Sequence, residues 1–86
     1  MIIGEVIGNV WATRKEESLV GLKLLMVQTL DSSKSVIVAA DRIGAGVGDR
    51  VLISVGSSAR KVLDNPNNPL DASIVGIIDE MESIEK

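Results

Sequence analysis

The interior of this protein has to be built almost without aromatic rings. Hydrophobic residues make up 45% of its 86 positions, yet there is no Phe, no Tyr and a single tryptophan, Trp11. Aromatic side chains bury the largest area per residue, so Val, Ile and Leu must fill the core. A chain of this length buries only roughly 60% of its unfolded surface. Small domains with thin cores rely on disulfides, metals or association. Cys and His are both absent, which removes the first two supports and leaves self-association.

The apolar pattern has period two or runs continuously, the signature of strands. Ile2 to Thr13 alternates loosely around Gly4 and Gly8, glycines of the kind that mark bulges or bends in barrel strands. A polar hinge, Arg14 to Ser18, separates it from Gly21 to Leu30, which reads as a second strand with a helix as the alternative. Asp31-Ser32-Ser33-Lys34 has turn composition, so Ser35 to Ala40 closes a hairpin with the second strand. A glycine loop, Asp41 to Asp49, leads into a fourth strand, Arg50 to Val55. One short helix is expected from Gly56 to about Leu63, capped by a serine. Asp64 to Pro69 is an exposed turn, Ala72 to Asp79 is the last strand, and residues 80–86 form an acidic tail. The expected fold is all-β, a single domain over 1–86: a small closed five-stranded OB-like barrel with one short helix. Ser35–Ala40 and the last strand are apolar on both faces, so a lone barrel would leave one face in water; another subunit is the expected cover.

Candidate chemistries fail one by one. Residues 41–60 hold four of the eight glycines, but Gly44-Ala45-Gly46-Val47-Gly48 is G-x-G-x-G followed by Asp49 and a strand, whereas dinucleotide loops need G-x-G-x-x-G followed by a helix. A tight connection with positive backbone angles is the better reading. Ser57 and Ser58 have no histidine to activate them; a Ser–Lys pair using Lys61 or Lys23 is weaker than a helix cap, with Arg60 paired to Asp41, Asp49, Asp71 or Asp79. Asp64-Asn65-x-Asn67-Asn68 lacks the closing glutamate of a calcium loop. A net charge of −3 and one tryptophan argue against a base-stacking nucleic-acid groove, and Trp11 reads as core or subunit interface. No apolar run reaches the roughly 20 residues that span a bilayer, no secretory leader pattern opens the chain, and the lack of Cys fits the cytoplasm. No catalysis, cofactor or metal is expected. The competing function is a monomeric OB-like module that binds an anion or a partner peptide through Arg60.

Five segments in order then suggest a family. G-E-V-I-G-N-V-W-A-T at 4–13, GLKLLMVQ at 21–28, AADRIGAGVGDRVL at 39–52, GSSAR at 56–60 and PLDASIVGIID at 69–79 together resemble the pentameric vertex proteins of bacterial microcompartments, the carboxysome and ethanolamine-utilisation type. The resemblance covers nearly the whole chain. It implies a cyclic homopentamer that caps the vertices of a cytoplasmic protein shell, packs against hexameric facet proteins and has no catalytic role. It also implies that Gly44, Ala45, Gly46, Gly48, Gly56, Ser57, Ser58 and Arg60 lie at or near subunit contacts or the fivefold axis, where small residues permit close approach.

Overall fold

Alternation of Val, Ile and Leu along short strands gives each strand one face that must leave water, and a closed sheet satisfies all of them at once. The computed structural model describes residues 1–12, 15, 17–56 and 71–80. Its strands are β1 (Ile2–Asn9), β2 (Lys23–Thr29), β3 (Val36–Asp41), β4 (Arg50–Val55) and β5 (Ala72–Ile77), with one turn of 3-10 helix at Glu17–Leu19. They close into a barrel in the order β1-β2-β3-β5-β4. Every neighbouring pair is antiparallel except β3 and β5, whose parallel pairing matches Ala40 with Ser73 and Asp41 with Ile74.

Two one-residue slips bend the sheet. In β1 the register passes from Val6↔Val27 to Gly8↔Met26, leaving Ile7 unpaired. In β5 it passes from Gly76↔Leu52 to Ile74↔Ile53, leaving Val75 unpaired. Such bulges sharpen local twist and let a small sheet curl onto itself. Gly8 thus borders a bulge, as its position in a strand suggested, but Gly4 has another reason. A Cβ there would stand 2.5 Å from Val27 Cγ1 and 2.9 Å from the Gln28 carbonyl oxygen, so β1 and β2 pack too closely for any side chain.

The core is aliphatic throughout: Val6, Leu25, Val27, Ala39, Ala45, Val51, Ile53, Ala72 and Ile74, with Ile2 and Ile37 packed against it. A second cluster lies on the other face of the same strands, where Leu24 and Ala40 are buried and Val10 and Leu22 pack against them. Ala39 and Ala40 are adjacent and both fully buried, so β3 is covered on both faces at this end, while Val36 and Val38 remain exposed at the other.

Expectation and structure agree on five strands and on the 23–41 hairpin; residues 23–29 are strand, not helix. Boundaries moved. β1 ends at Asn9 instead of Thr13, β3 gains Asp41, and β5 ends at Ile77. Of the expected hinge, Glu17 and Ser18 belong to the 3-10 turn. The expected helix after Gly56 and the turn at 64–69 lie outside the described residues; Gly56 N–H donates to the Asp71 carbonyl at 2.7 Å, so the chain leaves and re-enters the barrel at adjacent points.

The hairpin turn is organised by one carboxylate. Asp31 Oδ1 accepts from the Thr29 hydroxyl (3.0 Å), the Ser33 N–H (3.0 Å), the Lys34 N–H (3.3 Å) and the Ser33 hydroxyl. These donors, the Ser33 hydroxyl first and the Thr29 hydroxyl next, hold its carboxyl below the ordinary value of 3.8. A depressed carboxyl stabilises the fold above its ordinary value, and that contribution is lost as pH falls through the lowered one. The difference in melting temperature between wild type and Asp31→Asn should therefore be full near neutrality and shrink below pH 3.8; a gap that persists unchanged into acid contradicts this account. Gly4→Ala should lower stability by about 1–3 kcal/mol through overpacking, whereas Gly8→Ala, with nothing within 4 Å of its Cβ, should change it by less than about 0.5 kcal/mol, both read by thermal unfolding.

Candidate functional site

The glycine loop between β3 and β4 is built around two aspartates. Asp41 ends β3 directly opposite Lys23, the first residue of β2. Its carboxylate is fully buried and lies 3.2 Å from Lys23 Nζ. It also turns back on its own chain: Ile43 N–H donates to Oδ1 at 3.0 Å and Ala45 N–H donates to Oδ2 at 2.8 Å. Lys23 Nζ donates in turn to the Ala45 carbonyl at 2.5 Å. Ala45 is gripped by both its N–H and its C=O, and its methyl enters the barrel core. Four residues on, Asp49 Oδ2 accepts the Gly46 N–H at 2.9 Å, while Asp49 N–H donates to the Gly46 carbonyl at 3.0 Å. Gly48 N–H to Val6 O and Val6 N–H to Asp49 O, both 2.9 Å, dock the loop on β1.

This geometry decides what the loop can do. A phosphate cradle offers free backbone N–H groups, but here the amides of Ile43, Ala45 and Gly46 already serve internal carboxylates. The loop is folded around its own anions. Gly44 and Gly48 have φ of 94° and 95°, the left-handed region where a side chain costs energy. Gly46 does not, and its Cβ would meet only Asp49 Oδ2 at 4.0 Å. Its glycine is therefore not required by its own subunit.

Several sequence expectations change here. Ala45, expected at a subunit contact, is 1% exposed; its methyl fills the mouth of its own barrel. The outward positions of the loop are instead Ile43 and Val47, 46% and 63% exposed, which sequence reasoning did not single out. Lys23 is held by Asp41 and the Ala45 carbonyl, so it is not a base for a serine. Asp41 and Asp49, offered as partners of Arg60, both accept loop amides. Ser57, Ser58 and Arg60 lie outside the described residues, as do Lys61 and the 64–68 aspartate-asparagine run. Gly56 is exposed with φ 72° and open space around it. Trp11 is 90% exposed; it lies beyond the end of β1, which excludes the core reading. With Val10, Leu22, Leu24, Lys15 and Lys23 it lines a groove of about 320 Å³. Among the described residues no group of three or more carboxylates gathers to hold a metal.

What the arrangement offers is a stiff, shaped, greasy exterior. Trp11, Val20, Val36, Ile43 and Val47 stand exposed around a small barrel.

Comparison with known proteins agrees. The family model described as "Ethanolamine utilisation protein EutN/carboxysome" matches residues 1–79. The chain is 44% identical to the bacterial microcompartment shell vertex protein GrpN of Rhodospirillum rubrum, over 98% of this chain and 99% of the relative. It is 49% identical to the carboxysome shell vertex protein CcmL of Synechococcus elongatus, over 92% of this chain and 84% of that one. The solved structure of the GrpN pentameric microcompartment shell protein from Rhodospirillum rubrum superposes with a TM-score of 0.85 at 43% identity, covering 98% of this chain and all of that one.

Substitutions separate the glycines by role. Gly48→Ala should lower the subunit's unfolding free energy by about 1–2 kcal/mol through left-handed strain, whereas Gly46→Ala should be close to neutral under conditions where the chain is monomeric. Equal losses at the two positions in urea titrations would mean that the loop's backbone geometry is not what its glycines serve.

Proposed function

The chain belongs to the EutN/carboxysome family, and on that premise we propose that it is a structural, non-catalytic shell subunit that closes into a ring of five and caps a vertex of a bacterial microcompartment. The observation that carries this reading is the near end-to-end match, in sequence and in fold, to a pentameric shell protein. Its place is the cytoplasm, in the shell of the compartment. Hexameric facet proteins are the proposed neighbours, because a sheet of sixfold units turns a corner only where a fivefold unit replaces one of them.

The physics of the subunit supports the same reading. A thin aliphatic core gains little from its own folding, and cyclic association covers exposed apolar surface with a different patch of an identical neighbour, head to tail around the ring. We place Ile43, Val47, Gly44, Gly46, Gly48 and Gly56 at or near the contacts between neighbours, with Ser57, Ser58 and Arg60 beside them. Trp11 is the proposed aromatic of that interface, since it is the largest side chain of the protein and lies almost entirely in water in the single subunit.

Light scattering on the purified chain should give five 9.1 kDa subunits, 45.5 kDa; a stable 9.1 kDa species at micromolar concentration would sink the assignment. The single tryptophan supplies a second readout. Its emission should lie at long wavelength in dilute monomer and move to the blue as the ring forms, and an emission maximum independent of concentration would remove Trp11 from the interface.

A further inference from the structure

The bonds around Lys23 have a use beyond holding the barrel together. Lys23 stands at the end of β2, and its side chain is 47% exposed while that of Asp41 is fully buried. One ammonium group reaches two points of the same loop: the Asp41 carboxylate at its entrance and, 22 residues from Lys23, the Ala45 carbonyl at its middle. Without it, the buried Asp41 carboxylate would lose the ammonium beside it and keep the Ile43 and Ala45 amides, and the Ala45 carbonyl would lose this cationic donor. Two residues to either side of Ala45, Ile43 and Val47 are the loop's exposed large hydrophobics. Anchoring Ala45 in the barrel mouth thus sets where both apolar tips point.

We propose that Lys23 is a positioning residue for assembly: the Lys23–Asp41–Ala45 latch holds the glycine loop in the one shape that presents Ile43 and Val47 to the neighbouring subunit. This rests on the shell-subunit reading above and names a residue through which it works. The latch acts before association, as preorganisation, so that ring closure does not have to order the loop. The lysine stem also lines the groove beside Trp11, which places the latch between the two parts of the surface assigned to assembly.

The test compares wild type with Lys23→Met, which keeps the stem and drops the charge, and with Lys23→Gln, which also keeps a donor. Amide hydrogen exchange is followed at a concentration where the chains are monomeric. Ile43, Ala45 and Gly46 should exchange about tenfold faster in Lys23→Met, while Val6, Leu25 and Ile53 in the strands stay unchanged. At assembling concentrations the midpoint of ring dissociation should rise by about five- to tenfold, the scale expected for a half-exposed ion pair whose carboxylate stays buried. Lys23→Gln should fall between the two chains in both measurements, and it decides the matter if Lys23→Met does not fold. Loop amides that exchange as in wild type, or a ring that dissociates at the wild-type midpoint, would overturn the proposal. If wild type itself never forms a ring, the shell reading fails, and loop exchange in the monomer still reports whether the latch holds the loop.

Discussion

At the mouth of the barrel a single buried residue, Asp41, joins three strands, through its carboxylate to β2 and through strand pairing to β5, and its carboxylate holds the loop that follows β3. It ends β3, faces Lys23 across β2 and Ile74 across β5, and accepts two amides from its own loop. A charge taken out of water is costly unless it is paired and hydrogen-bonded, and here the loop just after it supplies two amides while Lys23 of β2 supplies the counter-charge. The β3–β5 pairing itself consists of two registered positions, so closure and the Asp41 cluster support one another at the same place.

The economy of the core explains why so small a barrel turns outward. With Leu25, Ile53, Ile74 and three valines as its largest fully buried apolar side chains, the interior offers modest hydrophobic stabilisation at roughly 1.5–3 kcal/mol for each large aliphatic group. The same β-branched residues that close the barrel also lie along its exterior at Val36, Val38 and Ile43. Surface of that kind is a liability in a monomer and an asset in a ring. The glycine loop follows the same logic: amides of its backbone are satisfied inward by Asp41 and Asp49, while the apolar side chains of Ile43 and Val47 stand exposed.

The glycines illustrate how one residue type answers several demands. Gly4 is there because β1 and β2 approach too closely for a Cβ, Gly44 and Gly48 because the loop runs through left-handed angles, and Gly8 beside a bulge. Gly46 meets no demand inside its own subunit. A repeat that resembles one motif in the sequence is thus several separate solutions, and the loop's internal hydrogen bonds add to its spacing the reason it is not a ligand-binding loop.

The sequence alone determined the all-β character, the strand count, the hairpin over residues 23–41 and the exclusion of familiar catalytic chemistry, because alternation, turn composition and missing residue types are local properties. The ordered set of motifs likewise carried the family. Tertiary structure alone decided that Ala45 points inward and Ile43 and Val47 outward, that Trp11 lies in water, that Gly4 is a packing glycine, and that Lys23 belongs to the loop rather than to a serine. Each of those depends on which atoms the fold brings together, as it does Lys23 and Ala45 from positions 22 residues apart, and such proximity is not a local property of the sequence.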